Sequence, residues 1–393
     1  MSRREPSPGD RPLDGFRVVD LSRVLAGPFC TLLLAQLGAR VTKVESPRGG
    51  DDGRAIGPFK NGKSLYFSSV NWDKESIAVD LKSPEGRELF LDLLGEADVL
   101  VENFRPGTME RLGLGWPMLH ERFPRLVYGA LSGFGQTGPL SRRPAYDMVV
   151  QGMGGVMSVT GHPGGPPTRF GVSIGDLAAG LYLSTGVVAA LLERERTGVG
   201  SMIDVAMLDC QVAILEGALT VYGATGEVAG PLGDRHPRIA PFGVFDAADG
   251  PIVIAAGNDR LFAKLCAAIG SDELVRDPRW DTPERRRADA DGLRRELEVT
   301  LRTRGASDWL ELLEAAGIPC SPVNDVAQVA AHPQVAARGM ILDVEDPVLG
   351  RLRVAGSPIK IAGRSEPSTR RPPPELDADR ARILAELRDR GRR

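Results

Sequence analysis

The stretch FRVVDLSRVLAGPFCTLLLAQLGARVTKVE, residues 16–45, decides the fold of this chain. Phe16 to Leu21 is a short apolar run typical of a buried strand, Gly27 to Gly38 has the pattern of a helix, and Arg40 to Glu45 is a second strand. A strand, a helix and a strand in this order predict a β-α-β unit and an α/β fold. The connection after the first strand lacks the G-x-G-x-x-G pattern, so a conventional dinucleotide site is disfavoured although the topology is Rossmann-like.

The alternation of strands and helices continues beyond this unit. A Gly- and Pro-rich segment from Ser46 to Ser64 is predicted to be a long loop. The hydrophobic pattern then predicts strands at Ser76–Leu81, Asp98–Glu102, Leu126–Leu131 and Met202–Val205, and helices at Pro84–Ala97, Tyr146–Val156, Asp176–Arg196 and Val205–Tyr222.

The composition changes after Tyr222, and we predict three segments on that basis. Residues 1–222 form the N-terminal part of a large domain, 223–322 form a linker and a small α+β domain, and 323–393 return to the large domain. The small domain begins with a predicted hairpin, Gly243 to Ala255, that turns at Asp249-Gly250. The return segment contains two predicted strands, near Ile341 and Leu352, and a final helix from about Asp377.

The composition also excludes several classes of function. The chain has 393 residues, a formal net charge of −3 and a pI near 6.0, which disfavours a general nucleic-acid binder. Met1 to Asp10 has charges but no apolar region after them, and no run of about 18 apolar residues was found, so secretion and membrane spanning lack support. We therefore expect a cytoplasmic protein. The four cysteines and four histidines are scattered, so neither a disulfide framework nor a metal site is predicted.

Asp176 is the first candidate functional residue, because it is a lone acid directly ahead of the apolar stretch Leu177 to Leu192. A carboxylate with an unperturbed pKa of ~3.9 is ionised near neutrality and can attack an activated carbonyl group without a partner base. Aspartate at this place is equally suited to cap a helix, since it accepts hydrogen bonds from the free amides of the first turn. The local sequence leaves both roles open.

A second candidate region follows the strand Asp98–Glu102, where Asn103-Phe-Arg-Pro-Gly is followed by Arg111. Open α/β sheets bind ligands at the carboxyl ends of their strands, and these residues fall at such an end. Because the chain is slightly acidic overall, an anionic ligand would need a local cluster of basic side chains to bind it.

Seven blocks of the sequence, in the same order, resemble the class III CoA-transferases, the family that also contains formyl-CoA transferase, carnitine CoA-transferase and the α-methylacyl-CoA racemases. The resemblance runs from about Leu13 to Lys360. The blocks are Asp20-Leu-Ser-Arg-Val-Leu-Ala-Gly-Pro, Leu37-Gly-Ala-Arg-Val-Thr-Lys-Val-Glu, Val101-Glu-Asn-Phe-Arg-Pro-Gly, Ser132-Gly-Phe-Gly-Gln-Thr-Gly-Pro, Gly175-Asp176, Thr197-Gly-Val-Gly and Pro241-Phe-Gly-Val-Phe.

The resemblance implies a Rossmann-like large domain built from both chain ends, an inserted small domain and two interlocked subunits. It implies coenzyme A as substrate and product, an acyl-CoA and a carboxylic acid as partners, and no metal. It also implies that Asp176 is the nucleophile, which forms an acyl-aspartyl anhydride and then an aspartyl-CoA thioester.

The family motifs can be carried over to individual positions of this chain. By this resemblance, Val24, Leu25 and Ala26 line the pantetheine and thioester end of CoA. The other positions that the motifs imply are Leu81 and Lys82 for the adenine, Asn103, Phe104, Arg105 and Arg111 for the nucleotide and phosphates, and Arg143 and Tyr146 close by.

One departure from the family pattern distinguishes the transferases from the racemases. The racemases have a Gly-His-Asp-x-x-Tyr motif where this chain has Ala145-Tyr146-Asp147, and a tyrosine with a pKa of ~10 is a poor replacement for the histidine base. A transferase is therefore favoured, with a 2-methylacyl-CoA racemase and a non-catalytic CoA-binding paralogue as alternatives. Asp147 remains as a second acid, which either assists catalysis or accepts hydrogen bonds from a neighbouring helix.

Two further departures bear on the substrate. Leu25 stands where formyl-CoA transferases have glutamine, and their glycine run is missing from the small domain, which disfavours formate and oxalate. The chain resembles the branch of the family that acts on dicarboxylic acyl groups, through Ser132 to Pro139 and Gly257-Asn258. The loop residues Arg54, Arg169 and Arg238 are candidates to pair with a substrate carboxylate.

Overall fold

The structure is a computed structural model that describes residues 11–364 and 369–390. Its strands are β1 (Arg17–Asp20), β2 (Arg40–Glu45), β3 (Phe59–Lys60), β4 (Lys63–Ser64), β5 (Lys74–Ala78), β6 (Val99–Glu102), β7 (Val127–Ser132), β8 (Met202–Ala206), β9 (Phe242–Asp246), β10 (Pro251–Ala255), β11 (Cys320–Pro322), β12 (Ile341–Asp346) and β13 (Gly350–Ala355). Its α-helices are α1 (Ala26–Gln36), α2 (Leu65–Val70), α3 (Pro84–Gly95), α4 (Thr108–Arg111), α5 (Trp116–Arg122), α6 (Asp147–Met153), α7 (Val156–Val159), α8 (Ile174–Thr197), α9 (Met207–Ala213), α10 (Gly217–Thr225), α11 (Asp259–Ile269), α12 (Pro283–Ala288), α13 (Ala290–Leu301), α14 (Ala306–Ala315), α15 (Val326–Ala331), α16 (Pro333–Ala337) and α17 (Arg380–Arg390). The N-terminal segment considered above for a secretion signal, residues 1–10, lies outside the described residues.

Among the described residues, six parallel strands form the main sheet, in the order β5-β2-β1-β6-β7-β8. Counted within the sheet, this is the order 3-2-1-4-5-6 of the Rossmann fold. The predicted α/β class with a parallel sheet is confirmed. The central strands are buried along their whole length, which explains why the sequence shows them as continuous apolar runs.

The two faces of this sheet are covered by different helices. Alternate residues of each strand point to opposite faces, so Val18 and Val99 pack with α1 and α8, whereas Val19 and Leu100 pack with α3 and α5. The second face also receives Ile383 from α17, at the far end of the chain. The sheet is therefore completed by both ends of the sequence.

The C-terminal segment also covers the edge strand β5. The backbone N–H of Ser76 donates to the Asp379 carboxylate at 2.9 Å, and that of Ala78 donates to Asp377 at 2.7 Å. An edge strand otherwise exposes unpaired backbone groups, so these contacts protect it.

The chain divides into two compact units. The first contains Met1–Met157, Arg169–Glu227 and Pro333–Arg393, and the second contains Ser158–Thr168 and Val228–His332. In the second unit the antiparallel sheet β11-β10-β9 packs with helices around a core that includes Phe262, Trp280 and Trp309. The predicted hairpin is present as β9 and β10. The sequence did not indicate that Ser158–Thr168 would group with this unit.

The structure corrects three local predictions. The single helix predicted over residues 205–222 is replaced by the end of β8 and two helices, α9 and α10; Glu216, directly before α10, has a positive φ of 49°, which is incompatible with a continuous α-helix. The loop predicted between Ser46 and Ser64 contains a 3₁₀ turn, Asp52–Ala55, and the small hairpin of β3 and β4. Strand β5 begins at Lys74, two residues before its predicted start, and ends at Ala78.

Helix α8 is an exception to the expectation that no segment could span a membrane. Within the described residues it is long and apolar enough to do so by length and composition alone. Its residues Ala179, Leu183 and Val187 are fully buried against the sheet and α1, and this packing accounts for its apolar composition.

The cysteines are free, as the sequence indicates. Cys30, Cys210 and Cys266 are buried and Cys320 is partly buried. Among the described residues, no group of three or more His, Cys, Asp or Glu side chains could hold a metal ion.

Candidate active site

Asp176 lies in the first turn of α8, but it does not cap the helix. The helix begins at Ile174 after Ser173, so Asp176 is its third residue and the N-cap interpretation is wrong. A carboxylate in the first turn lies near the positive end of the helix macrodipole, which favours its ionised form. Within the described residues, the Asp176 carboxylate joins no hydrogen bond or ion pair.

Asp147, the first residue of α6, is held against the start of α8. The backbone N–H of Gly175 donates to Asp147 Oδ1 at 2.8 Å. A Cβ atom at position 175 would lie only 2.8 Å from Val150 Cγ2 and 3.0 Å from Asp147 Oδ1. Glycine at this position therefore permits the close approach of α6, which brings the carboxylates of Asp147 and Asp176 together.

Gln151 fixes the orientation of Asp147. It lies four residues further along α6, is completely buried, and donates from Nε2 to Asp147 Oδ2 at 2.7 Å. Its Oε1 accepts the backbone N–H of Phe170 at 2.8 Å, so one amide connects Asp147 to the segment that leads into α8. Sequence reasoning missed Gln151, although its spacing from Asp147 places both on one helix face.

Burial changes the chemistry of Asp176. Burial, and then the neighbouring Asp147 carboxylate, raise the pKa of Asp176 to about 7. The carboxyl group therefore titrates near neutrality and not in the acid range expected from the sequence. A carboxylate with a raised pKa is a stronger base and a stronger nucleophile in its ionised form, but only part of the protein carries that form at pH 7.

Tyr66, on the short helix α2, lies close to both acids. Burial, followed by the charges of Asp176, Asp51 and Asp147, raises the pKa of Tyr66 to about 12. Its phenol group therefore stays protonated at neutral pH and can donate a hydrogen bond. Sequence reasoning missed Tyr66, because α2 and α8 are far apart in the chain and Tyr66 and Leu177 meet only at one buried cluster of the folded protein.

Helix α1 packs against α8 directly after Asp176. A Cβ atom at Gly180 would lie 2.8 Å from the Ala26 carbonyl oxygen and 2.9 Å from Phe29 Cδ1. Leu25 belongs to a buried cluster against which Val24, Phe29, Tyr66 and Leu177 pack. The three residues predicted for the thioester end of CoA, Val24, Leu25 and Ala26, thus lie beside the helix turn that carries Asp176.

The loop before α1 has a strained backbone. Val24 has φ 68°, in the left-handed region that a β-branched residue rarely adopts. Its N–H donates to Asp51 Oδ1 at 2.8 Å. The preceding Arg23 is held on both sides by Asn103, which accepts from the Arg23 N–H at 2.9 Å and donates to the Arg23 carbonyl oxygen at 2.8 Å.

A buried set of charges lies beneath this loop. Lys43 lies 2.8 Å from Asp51 and donates to the Ser22 carbonyl oxygen at 2.8 Å, while Lys74 lies 3.0 Å from Asp20. Burial lowers the pKa of Lys74 to about 8, against the attraction of Asp20. Two buried cations opposite two buried anions remove the cost of unpaired charges and fix the loop in one conformation.

The remaining predicted CoA residues lie at or near the same edge of the sheet. Phe104 is partly buried, with the Arg23 guanidinium 5.5 Å from its ring centre, and packs on the same core cluster as Leu81. The side chains of Lys82, Arg105 and Arg111 are exposed, and Arg111 donates to Thr108 at 2.9 Å. Their exposure leaves them accessible to a ligand.

Arg143 and Tyr146 are less closely tied to this group. Both are exposed, and Tyr146 precedes α6, whereas the Arg143 guanidinium lies 5.9 Å from the ring centre of Phe134. Within the described residues, neither of them forms a hydrogen bond, ion pair or ring contact with Asn103 or Phe104.

Two of the candidate substrate arginines can be compared directly. The guanidinium of Arg54 is occupied by contacts within the protein, because it donates two hydrogen bonds of 2.7 Å to Glu45 and stacks on Phe67. Arg169 lies beside Asp147, with 3.9 Å between Nη2 and Oδ2. Arg238 belongs to the second unit.

Comparisons with known proteins identify the family of this chain. Residues 13–380 match the sequence profile of CoA-transferase family III. Acetyl-CoA:oxalate CoA-transferase of Acetobacter aceti is 46% identical over 388 residues, which cover 98% of each chain. Succinyl-CoA:glutarate CoA-transferase of Homo sapiens is 39% identical, over 96% of this chain and 86% of the human protein.

The fold has a close counterpart among solved structures. The crystal structure of a CaiB/BaiF family protein from Brucella suis is 40% identical, has a TM-score of 0.86, and is matched over 96% of this chain and 100% of that one. The resemblance found in the sequence is confirmed. The chain belongs to CoA-transferase family III and is an enzyme of that family.

Proposed function

We propose that this enzyme moves CoA from an acyl-CoA donor to a carboxylic acid acceptor through covalent intermediates on Asp176. The observation that carries the proposal is the position of Asp176: a carboxyl group in the first turn of α8, unpaired within the described residues, beside the loop that ends at Ala26. A thioester and a mixed anhydride are both activated acyl groups, so the exchange proceeds without ATP or a metal.

The first half of the reaction produces an enzyme-bound thioester. A carboxylate oxygen of Asp176 bonds to the acyl carbon of the donor, the C–S bond breaks, and an acyl-aspartyl anhydride and CoA thiolate result. The thiolate then attacks the side-chain carbonyl carbon of Asp176. The donor acid leaves with one oxygen of Asp176, and an aspartyl-CoA thioester remains.

The second half repeats these steps with the acceptor. The acceptor carboxylate attacks the aspartyl-CoA thioester and expels the thiolate, which gives a new anhydride. The thiolate attacks the acyl carbon of the acceptor, and the new acyl-CoA leaves. Asp176 is restored with one oxygen atom taken from the acceptor acid.

Two side chains near Asp176 support this chemistry. Asp147 raises the pKa of Asp176 and holds the Gly175 amide, so we propose that it sets the basicity and the position of the nucleophile. The protonated phenol of Tyr66 is a donor for the oxygen that gains negative charge when a tetrahedral intermediate forms.

We propose that CoA binds along the carboxyl edge of the main sheet. Val24, Leu25 and Ala26 would contact pantetheine near the thioester. The exposed Arg105 and Arg111 would take the phosphates, for which charge-assisted hydrogen bonds are the strongest available. The other proposed contacts are Leu81, Lys82, Asn103, Phe104, Arg143 and Tyr146.

The proposed acceptor is a dicarboxylic acid. The two curated relatives described above are named for oxalate and glutarate, and both acids carry two carboxylates. The expectation that oxalate is disfavoured, which depended on Leu25 and on the missing glycine run, has no support in this comparison.

We also propose that two chains form the interlocked homodimer that the family resemblance implies. Support comes from large apolar side chains that the single chain leaves exposed on two helices of the first unit: Leu181 and Leu192 on α8, and Leu219 and Tyr222 on α10. The proposed compartment is the cytoplasm, on the composition alone.

Oxygen transfer tests the mechanism. The enzyme is incubated with acetyl-CoA and heavy-oxygen-labelled oxalate, succinate or glutarate in ordinary water, and the peptide containing Asp176 is analysed by mass spectrometry. One heavy oxygen should appear on Asp176 in step with the new acyl-CoA, and Asp176→Asn should form neither product. New acyl-CoA without label on Asp176 would exclude both covalent intermediates. Exchange of the α-hydrogen of a 2-methylacyl-CoA for solvent deuterium without an acid acceptor would instead indicate the racemase.

A further inference from the structure

Arg169 places a positive charge beside the two acids of the site. It lies in the segment between the second unit and α8, its side chain is 43% exposed, and its Nη2 atom is 3.9 Å from Asp147 Oδ2. That distance is an ion pair but exceeds the range of a hydrogen bond. Within the described part of the chain, the guanidinium has no hydrogen-bond partner.

Asp147 does not need Arg169 to satisfy its oxygen atoms. Oδ1 accepts the Gly175 N–H at 2.8 Å, and Oδ2 accepts the Gln151 amide at 2.7 Å. The five N–H donors of Arg169 therefore remain available for another anion. Because a planar guanidinium matches the two oxygens of a carboxylate, a second carboxylate is the ligand that suits it best.

The backbone next to Arg169 is anchored by a hydrogen bond, whereas the Arg169 guanidinium has only the ion pair with Asp147. Phe170, the next residue, donates its N–H to the buried Oε1 of Gln151 at 2.8 Å. The same Gln151 holds Asp147, so the position of Arg169 relative to the catalytic acids is fixed by one buried amide. Because the backbone is already anchored, the entropy lost on ligand binding is limited to that of the Arg169 side chain.

Arg169 and the start of α8 contact different oxygen atoms of Asp147. Oδ1 of Asp147 faces Gly175 and hence the start of α8, whereas Oδ2 faces Arg169. A substrate with one carboxylate at Asp176 and another beyond Asp147 would bring the second one to the guanidinium. Without that cation, a doubly charged acid would meet two carboxylates of the protein and be repelled.

We propose that Arg169 binds the second carboxylate of a dicarboxylic substrate whose first carboxylate reacts at Asp176. This inference rests on the proposed transfer reaction. Arg169 is then the residue that sets the preference for dicarboxylic over monocarboxylic acids, and Gln151 is a positioning residue that holds it and Asp147 together.

The test compares Arg169→Gln with Arg169→Lys and with Arg388→Gln, which removes an exposed arginine from α17. One measurement is the rate at which acetate is released from labelled acetyl-CoA, a donor with no second carboxylate, before any acceptor acid is added. The other is the KM for oxalate, succinate and glutarate as acceptors, with acetate and butyrate as monocarboxylic controls.

In Arg169→Gln the KM for the dicarboxylic acids should rise about 10- to 100-fold, as expected for the loss of a charge-assisted pair, with kcat nearly unchanged. The rate of acetate release from acetyl-CoA should stay at the wild-type value, which also shows that the variant folds. Arg169→Lys should recover part of the affinity, because it keeps the charge without the bidentate geometry. Arg388→Gln should match the wild type throughout.

Two results would overturn the inference. One is a wild-type enzyme that accepts acetate or butyrate but no dicarboxylic acid. The other is an equal loss of acetate release and acceptor use in Arg169→Gln, which would mean that Arg169 only supports the structure. If the wild type releases no acetate from acetyl-CoA and forms no new acyl-CoA, the proposed function itself fails, which is a distinct outcome.

Discussion

Replacing Asp147 by asparagine should lower the pKa of Asp176 and shift the pH dependence of acylation. Burial is the larger cause of the raised pKa and the charge of Asp147 is the smaller one. The pKa rises from 3.8 to about 7, so removing the smaller cause should lower it by less than half of that change, to no less than about 5.5. At 1.36 kcal/mol per pKa unit, the interaction between the two acids is then below about 2 kcal/mol.

The acylation rate should increase with pH, because the ionised form of Asp176 is the nucleophile. In the wild type, the acylation rate should rise with pH up to about 7 and then level off. At pH 6 it should be about a tenth of its plateau value, because a group with this pKa is about one-tenth ionised there. In Asp147→Asn the same ratio should lie between about a tenth and three-quarters, since the rising part of the curve moves to lower pH.

The assay is single-turnover release of acetate from labelled acetyl-CoA between pH 5 and pH 8.5. The second-order rate constant at low acetyl-CoA concentration reports the pKa of the free enzyme. Any titration of the substrate is the same for all variants. A difference between the pH profiles of two variants therefore comes from the enzyme. Glu193→Gln is the matched control, because Glu193 is exposed on α8 and its charge is screened by water. A flat profile in the wild type would refute the reasoning, as would an unchanged pKa in an Asp147→Asn variant with normal thermal stability.

Three further substitutions test the packing and the charges of the site. Asp176→Asn should stabilise the fold at pH 8 by at most about 4 kcal/mol, because the raised pKa means that folding disfavours the ionised carboxylate; the gain should shrink as the pH falls from 7 toward the unfolded pKa near 4. Urea denaturation at pH 5 and pH 8 measures it, and an equal gain at both values would contradict the assignment. Gly175→Ala should destabilise the protein by about 1–3 kcal/mol and slow acylation, since its Cβ would collide with Val150 and Asp147, whereas Gly171→Ala, which has open space around it, should do neither. If the two variants behave alike, the close approach of α6 and α8 is not required. Asp51→Ala should cost about 3–5 kcal/mol, because Lys43 would remain buried without its nearest partner, and the exposed Asp52→Ala should cost at most about 1 kcal/mol. Thermal denaturation separates the two, and a mild effect of Asp51→Ala would show that Lys43 finds another partner.

Most of the main sheet could be predicted from the sequence, because its central strands are buried on both sides and therefore appear as apolar runs. Residues 40–45 were predicted with the observed bounds of β2. Helix ends were less accurate: α8 begins at Ile174, two residues before Asp176, because no capping side chain marks its start. The break between α9 and α10 depends on the backbone of Glu216, which residue type does not reveal.

Some residues of the candidate site could likewise be predicted from the sequence, and others could not. Asp176 and the residues from Val24 to Ala26 were found in the sequence, because each lies in a short motif with a recognisable neighbour. Gln151 and Tyr66 were not found, because their importance comes from contacts with residues distant in the chain. The sequence left the role of Asp147 open. The structure adds that Asp147 accepts the Gly175 N–H and that its charge contributes to the raised pKa of Asp176.

By itself, the sequence determined the α/β class, the family and the identity of the candidate nucleophile, since these depend on local patterns of apolar residues, turns and motifs. Only the tertiary structure decided the protonation of that nucleophile and the placement of Arg169 beside it. The physical reason is that burial and the distance between charges are properties of chain segments brought together by folding, and neither is encoded in the neighbours of Asp176 along the chain.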